Sequence, residues 1–173
     1  MTIMVNVVDM ESEQRFQQAL QVAHVAHKGQ ARYNGEPYVY HSIRVAGALS
    51  SLSERIVGVL HDVLEEKPLA RLVPKSDDIK FWVLDLGSAL TGSDCFVWLH
   101  DYEAEALAAL TRSKGIQSYS DYIETIKSVG GLAVIVKLAD LADNLKDLPP
   151  AKESLRKRYE KARSTLFPLV CNE

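Results

Sequence analysis

Apolar residues recur at helical spacing along almost the whole chain, and no segment shows a strong alternation of apolar and polar residues. The pattern is clear at 132–148, where a helix is stopped by Pro149 and Pro150. A last amphipathic helix carries apolar residues at i, i+4, i+7 and i+11, namely Leu155, Tyr159, Ala162 and Leu166. The sequence therefore predicts one all-α domain over residues 1–173, a helical bundle of about seven or eight helices.

Capping residues and glycines place the other helices. They are expected after a cap at Asp9 or Ser12, at 40–52, after Ser53, after a cap at Ser76, at 103–112, and from a Ser118 cap to Gly130. Residues 28–37 are polar and typical of a loop. A strand is conceivable only at 132–136, where β-branched residues cluster.

The overall charge argues against several classes of partner. The chain has 173 residues, nearly half of them hydrophobic, and a formal net charge of −3. No basic surplus suggests bulk electrostatic binding to nucleic acid or to an anionic membrane. There is no secretory signal or membrane-spanning run, and Cys95 and Cys171 form no disulfide framework. We expect a cytoplasmic protein that acts on a small molecule; its oligomeric state is not indicated.

The segment 56–66 combines an apolar face with a stripe of chemically active residues. Drawn as one helix, it places Gly58, His61, Asp62, Glu65 and Glu66 opposite the apolar face. Imidazole and carboxylate groups are ligands for Mn²⁺, Fe²⁺ or Zn²⁺. A solvated helix surface is the plainer interpretation of such a stripe. The glycine costs helix stability, which suggests that another group approaches it closely.

Two further residues extend this set. Asp140 lies on a helix that enters the core, where a carboxylate needs a cation or donors, and a pair with Lys137 would also satisfy it. His41 points with the core face of its own helix, where most histidines are simply hydrogen-bonded. Together, His41, His61, Asp62 and Asp140 could hold one divalent ion and leave positions for water and a phosphate oxygen.

Four motifs occur in order: AHKGQAR at 26–32, GEPYVYH at 35–41, LHDVLEE at 60–66 and VKLADLADN at 136–144. With them the chain resembles the HD-domain metal-dependent phosphohydrolases over about 19–148. Within that family it is most similar to the hydrolase domain of the RelA/SpoT group and to the small alarmone hydrolases. The segments 110–112 and 119–123 also resemble the compact members.

The resemblance implies roles for six residues of the metal site. The metal ligands would be His41, His61, Asp62 and Asp140, with Mn²⁺ the usual ion and Fe²⁺ or Zn²⁺ as alternatives. Glu65, with Glu66 nearby, would orient or deprotonate the attacking water. Glu66 stands where the alarmone hydrolases carry aspartate, which moves the charge by more than about 1 Å.

The resemblance also implies substrate contacts. Arg32 would pack against a guanine base, and Asn144 would contact the nucleotide near its sugar. Tyr33 replaces a lysine that is frequent in the family. Lys28, Arg32 and Lys137 are candidates to neutralise phosphate charge.

These residues predict hydrolysis of a phosphate ester or anhydride in a nucleotide. The favoured substrate is the 3′-diphosphate of (p)ppGpp, which would release pyrophosphate. A general nucleotide phosphohydrolase, of the 5′-nucleotidase or NADPH phosphatase type, is the alternative that Tyr33 and Glu66 favour. A non-catalytic nucleotide-binding HD module is the third possibility.

Overall fold

The computed structural model describes residues 7–66, 70–74, 79–84 and 95–170, with side chains described at 12–65 and 99–170. The predicted helical bundle is confirmed, and the described residues form eight helices that build most of the core. They are α1 (Val7–Ala26), α2 (Val39–Gly47), α3 (Leu52–Leu60), α4 (Val63–Glu66), α5 (Asp101–Leu110), α6 (Tyr119–Val129), α7 (Gly131–Asp147) and α8 (Glu153–Leu166). A short 3-10 turn lies between α7 and α8 at Pro150–Lys152, and another follows α8 at Phe167–Leu169.

A small antiparallel sheet interrupts the helical chain between α4 and α5. Its strands are β1 (Ala70–Pro74), β2 (Ile79–Leu84) and β3 (Cys95–His100), in the order β1-β2-β3. The helix predicted after Ser76 is therefore wrong over β2, and Ser76 itself lies outside the described residues. Strands β2 and β3 are rich in the aromatic and β-branched residues that favour a pleated surface. The conceivable strand at 132–136 lies instead within helix α7.

The predicted helix over 56–66 is divided in two. Helix α3 begins at a capping box in which Ser51 and Glu54 satisfy each other's backbone N–H groups, and it ends at Leu60. His61 and Asp62 lie in the turn before α4. The Nδ1 atom of His61 donates to the Gly58 carbonyl at 2.7 Å, which satisfies an acceptor at the end of the helix.

Helix α3 is the centre of the bundle and packs against α1, α2 and α7. Its apolar face, Ile56, Val57, Val59 and Leu60, is fully buried. A Cβ atom on Gly58 would lie 2.7 Å from Leu49 Cδ1 and 3.4 Å from Ala46 Cα. The glycine thus allows the Leu49 side chain and the backbone of α2 at Ala46 to pack closely against α3, in agreement with the close approach expected from the sequence.

In the described part of the chain, no helix combines the length and the apolar composition that crossing a bilayer requires. The longest is α1, whose 20 residues include several charged side chains. A cytoplasmic location stays a prediction.

Candidate metal centre and cleft

The fold brings together the four residues expected to bind a metal. His41 comes from α2, His61 and Asp62 from the turn between α3 and α4, and Asp140 from α7. Asp140 Oδ1 lies 3.1 Å from His41 Nε2 and 3.4 Å from His61 Nε2. Asp62 Oδ2 lies 3.1 Å from His61 Nε2 and 3.7 Å from His41 Nε2. His41, His61 and Asp140 each offer a ligand atom within 4.8 Å of the others, so these three could hold a metal ion.

Burial separates these four residues into two groups. His41, His61 and Asp140 are buried, as expected for Asp140 from the apolar segment that precedes it. The Asp62 side chain is 20% exposed and lines a cleft that opens to solvent. The three buried groups therefore adjoin a cleft that is open to solvent, and Asp62 and Asp140 are the two members of the set that line it.

Each imidazole presents its Nε2 atom to carboxylate oxygens. His61 Nδ1 faces the Gly58 carbonyl, which can only accept, so Nδ1 carries the hydrogen. His41 Nδ1 lies 2.7 Å from Asp143 Oδ2 and is a donor for the same reason. Neither Nε2 atom has a hydrogen-bond partner among the described residues. Two nitrogen lone pairs beside carboxylates require a positive charge between them, and a divalent cation meets that requirement.

The pKa shifts express the same demand for positive charge. Burial lowers the pKa of His61, but the nearby carboxylates of Asp62 and Asp140 outweigh it and raise that pKa well above its ordinary value. Burial likewise opposes a charge on His41, and the nearby carboxylates of Asp140 and Asp143 raise its pKa overall. Without a metal, protons supply the charge that a dication would supply when bound.

Asp140 is held by two neighbours on its own helix. Lys137 Nζ donates to its Oδ2 at 2.7 Å, and Asn144 Nδ2 donates to its Oδ1. Asn144 in turn accepts from Arg32 Nη1 at 3.2 Å. Burial would raise the pKa of Asp140, but the charge of Lys137 and the two nearby imidazoles hold it well below its usual range. Asp140 can therefore pair with Lys137, as the sequence suggests, and still offer a ligand atom to a metal. Oδ2 contacts Lys137, whereas Oδ1 faces the two imidazoles.

Tyr38 is a member of the site that the sequence does not single out. Its hydroxyl donates to Asp62 Oδ2 at 2.6 Å. Burial and the charge of Asp62 raise the pKa of Tyr38, so the hydroxyl keeps its proton and remains a donor. The signal in the sequence is its position three residues before His41, which is the spacing of one helical turn.

Glu65 lies at the mouth of the same cleft. Its Oε1 accepts from the Arg112 backbone N–H at 2.8 Å, and its Oε2 pairs with Lys114 Nζ at 3.2 Å. Both partners precede α6 and are far from Glu65 in the sequence, so only the fold identifies them. Glu66 lies at the end of α4, and its side chain is outside the described residues.

A cleft of about 480 Å³ opens above Asp62 and Asp140. Three of the predicted substrate contacts, Arg32, Lys137 and Asn144, line it, whereas Lys28 is exposed and is not among the lining residues. The sequence misses two further cations and a group of aromatic rings in its wall, namely Arg112, Lys114, Tyr119, Tyr122 and Tyr159. The cleft thus combines cations with planar rings, which suits a phosphorylated aromatic ligand.

No protein-family model matches the chain. Individual relatives do. The chain is 31% identical over 157 residues to a guanosine-3′,5′-bis(diphosphate) 3′-pyrophosphohydrolase of Borreliella burgdorferi. That alignment covers 88% of this chain and 22% of the relative. The chain is 30% identical over 161 residues to the bifunctional (p)ppGpp synthase/hydrolase SpoT of Escherichia coli, and the alignment covers 88% of this chain and 20% of SpoT. A probable chloroplastic GTP diphosphokinase of Arabidopsis thaliana is 25% identical over 157 residues, covering 87% and 20%. The chain thus spans about a fifth of the length of these curated relatives.

Proposed function

We propose that this chain, a distant homologue of the RelA/SpoT proteins, is a metal-dependent phosphohydrolase that acts on a nucleotide through a single HD-type domain. One observation carries the proposal. Two buried imidazoles direct their Nε2 atoms at carboxylates on the floor of a cleft lined with cations. A module that only binds a nucleotide has no need for such a costly buried cluster.

The residues that would hold the metal are His41, His61, Asp62 and Asp140. Mn²⁺ is the proposed ion, and Fe²⁺ and Zn²⁺ suit the same nitrogen and oxygen donors. When bound, such an ion lowers the pKa of a coordinated water and polarises a phosphoryl oxygen. On the protein side, Tyr38 orients Asp62, and Lys137 and Asn144 orient Asp140.

Glu65 is the proposed general base. Its carboxylate lines the cleft beside Asp62, and its contacts with Arg112 and Lys114 hold it in place. In the reaction it would orient the attacking water and accept its proton on a carboxylate oxygen. A role for Glu66 as a second acid remains a prediction from the sequence.

The proposed substrate is guanosine-3′,5′-bis(diphosphate), named as substrate in the curated relatives. Water would form the new bond to the phosphorus attached to the 3′ oxygen, and the bond from that phosphorus to the 3′ oxygen would break. The proton taken by Glu65 would finally reach the 3′ oxygen, which leaves GDP and pyrophosphate. Arg112, Lys114 and Lys137 line the cleft and would offset phosphate charge, and Arg32, which also lines it, would contact the base.

A broader nucleotide phosphohydrolase is the second candidate. The observation that favours it is Tyr33, which is 61% exposed at the cleft where a lysine is frequent in the family. A tyrosine offers a ring for stacking but no charge for a polyphosphate. Mononucleotides or NADPH would then be cleaved as well as, or instead of, the alarmone.

The test is a panel of nucleotides incubated with the purified protein and Mn²⁺. Formation of GDP and pyrophosphate from ppGpp supports the alarmone substrate, and turnover of other nucleotides alone supports the broader hydrolase. Glu65→Gln is expected to lower kcat by about 10²–10⁴-fold while Mn²⁺ still binds, because only the proton acceptor is lost.

Glu160→Gln is the matched control, since Glu160 is exposed on α8 and lies outside the cleft. Its kcat should equal that of the wild type. Absence of turnover on every substrate, together with nucleotide binding that a chelator does not affect, would contradict the proposal and favour the non-catalytic module.

A further inference from the structure

The two imidazoles of the site are held by different kinds of acceptor. His61 Nδ1 donates to a neutral backbone carbonyl, that of Gly58. His41 Nδ1 donates to a carboxylate, that of Asp143, at the same distance of 2.7 Å. Asp143 is buried, so this hydrogen bond is shielded from water. His41 and Asp143 are 102 residues apart in the sequence. The difference between the two imidazoles therefore arises from tertiary packing and not from the geometry of one helix.

Asp143 is itself fixed by a second residue of α2. Arg44 Nε donates to Asp143 Oδ1 at 2.8 Å, and Arg44 Nη2 donates to Oδ2 at 3.1 Å. This two-point contact sets the plane of the carboxylate and keeps it anionic. Arg44 also pairs with Glu36 at 2.6 Å and with Asp147 at 3.3 Å, so the guanidinium is held from several sides.

We infer that Asp143 is a positioning residue of the metal centre, which fixes His41 with Nε2 free of hydrogen and strengthens that nitrogen as a ligand. A carboxylate acceptor on Nδ1 selects this tautomer, orients the ring and raises the basicity of Nε2. His61, held by a neutral carbonyl, gains less of the last effect than His41 does from an anion. The inference rests on the proposed function in one respect, that a metal binds between the imidazoles.

The first test is Mn²⁺ binding to the metal-free protein, measured from the free ion by electron paramagnetic resonance. Asp143→Asn keeps the shape of the side chain and removes its charge, and we expect Mn²⁺ affinity to fall about 10–100-fold. Asp147→Asn is the matched control. Asp147 lies one turn further along α7 and also contacts Arg44, but its carboxylate faces Arg32 and Arg44 rather than either histidine. We expect its Mn²⁺ affinity to change by less than about 3-fold.

The second test is a spectroscopic one. In metal-free wild-type protein, nitrogen-edited proton NMR should show a slowly exchanging, downfield proton on His41 Nδ1, and Asp143→Asn should move it upfield. A purely structural role for Asp143 would lower the melting temperature without selectively changing this signal or the Mn²⁺ affinity.

The outcomes separate the two proposals. Equal Mn²⁺ affinity in wild type and Asp143→Asn, or absence of the Nδ1 proton in the wild type, overturns the role given to Asp143 alone. A wild type that binds none of Mn²⁺, Fe²⁺ and Zn²⁺ overturns the proposed function itself. Weaker binding in Asp143→Asn but not in Asp147→Asn, with the Nδ1 proton present in the wild type, supports the inference.

Discussion

Replacement of Lys137 with methionine is expected to lower the free energy of unfolding of the metal-free protein by about 3–5 kcal/mol. Lys137 Nζ lies 2.7 Å from Asp140 Oδ2, and the two side chains are only 10% and 4% exposed. Removing the ammonium therefore leaves a buried carboxylate without its nearest cation, whereas an exposed pair would contribute about 0–1 kcal/mol. Methionine keeps the unbranched chain and the helix propensity, so the change isolates the charge.

The measurement is urea unfolding followed by circular dichroism in the presence of a chelator. For a chain of this length the expected loss corresponds to a melting temperature lower by about 6–20 °C. Lys146→Met is the control, because Lys146 is exposed on the same helix and should change stability by less than about 0.5 kcal/mol. A loss below about 1 kcal/mol in Lys137→Met would refute the reasoning, since it would mean that water already solvates Asp140.

Two further predictions concern pH and packing. The pKa values of His41 and His61 are raised in the folded protein, so protonation of these residues stabilises the fold. This stabilisation is fully present below the unfolded pKa of about 6.5 and is lost as the pH rises through the folded pKa. Melting curves in chelator should therefore show stability falling from neutral to alkaline pH, and a flat profile would contradict this. Gly58→Val should cost about 1–3 kcal/mol, because its Cβ atom would lie 2.7 Å from Leu49 Cδ1 and the larger side chain would displace Leu49. Gly47→Val, with open space around it, should cost less than about 0.5 kcal/mol in the same urea titration, and equal losses would exclude the packing explanation.

Local spacing in the sequence was sufficient to predict most of the helices. Ser118 accepts from the Asp121 N–H at the start of α6, as its capping pattern predicts. Helix α7 ends at Asp147, just before Pro149 and Pro150. Such features depend on residues within a turn or two of each other, so the sequence carries them directly.

The three strands could not be predicted in this way. Residues of β2 allow either a helix or a strand, and the choice depends on pairing with β1 and β3. Strand propensity mostly reflects such neighbours rather than the backbone of the segment itself. The helix predicted after Ser76 failed for this reason.

The sequence by itself determined the chemical types of the site: imidazoles and carboxylates on segments that each have a buried face. Only the tertiary structure decided how they are oriented. The hydrogen bond from His41 to Asp143 spans 102 residues, and that from Arg32 to Asn144 spans 112. Hydrogen-bond geometry is fixed within a few tenths of an ångström, and helical periodicity cannot specify positions across separate helices to that precision. Packing of α2 and α3 against α7 sets those distances, and with them which nitrogen of each histidine is left to bind a metal.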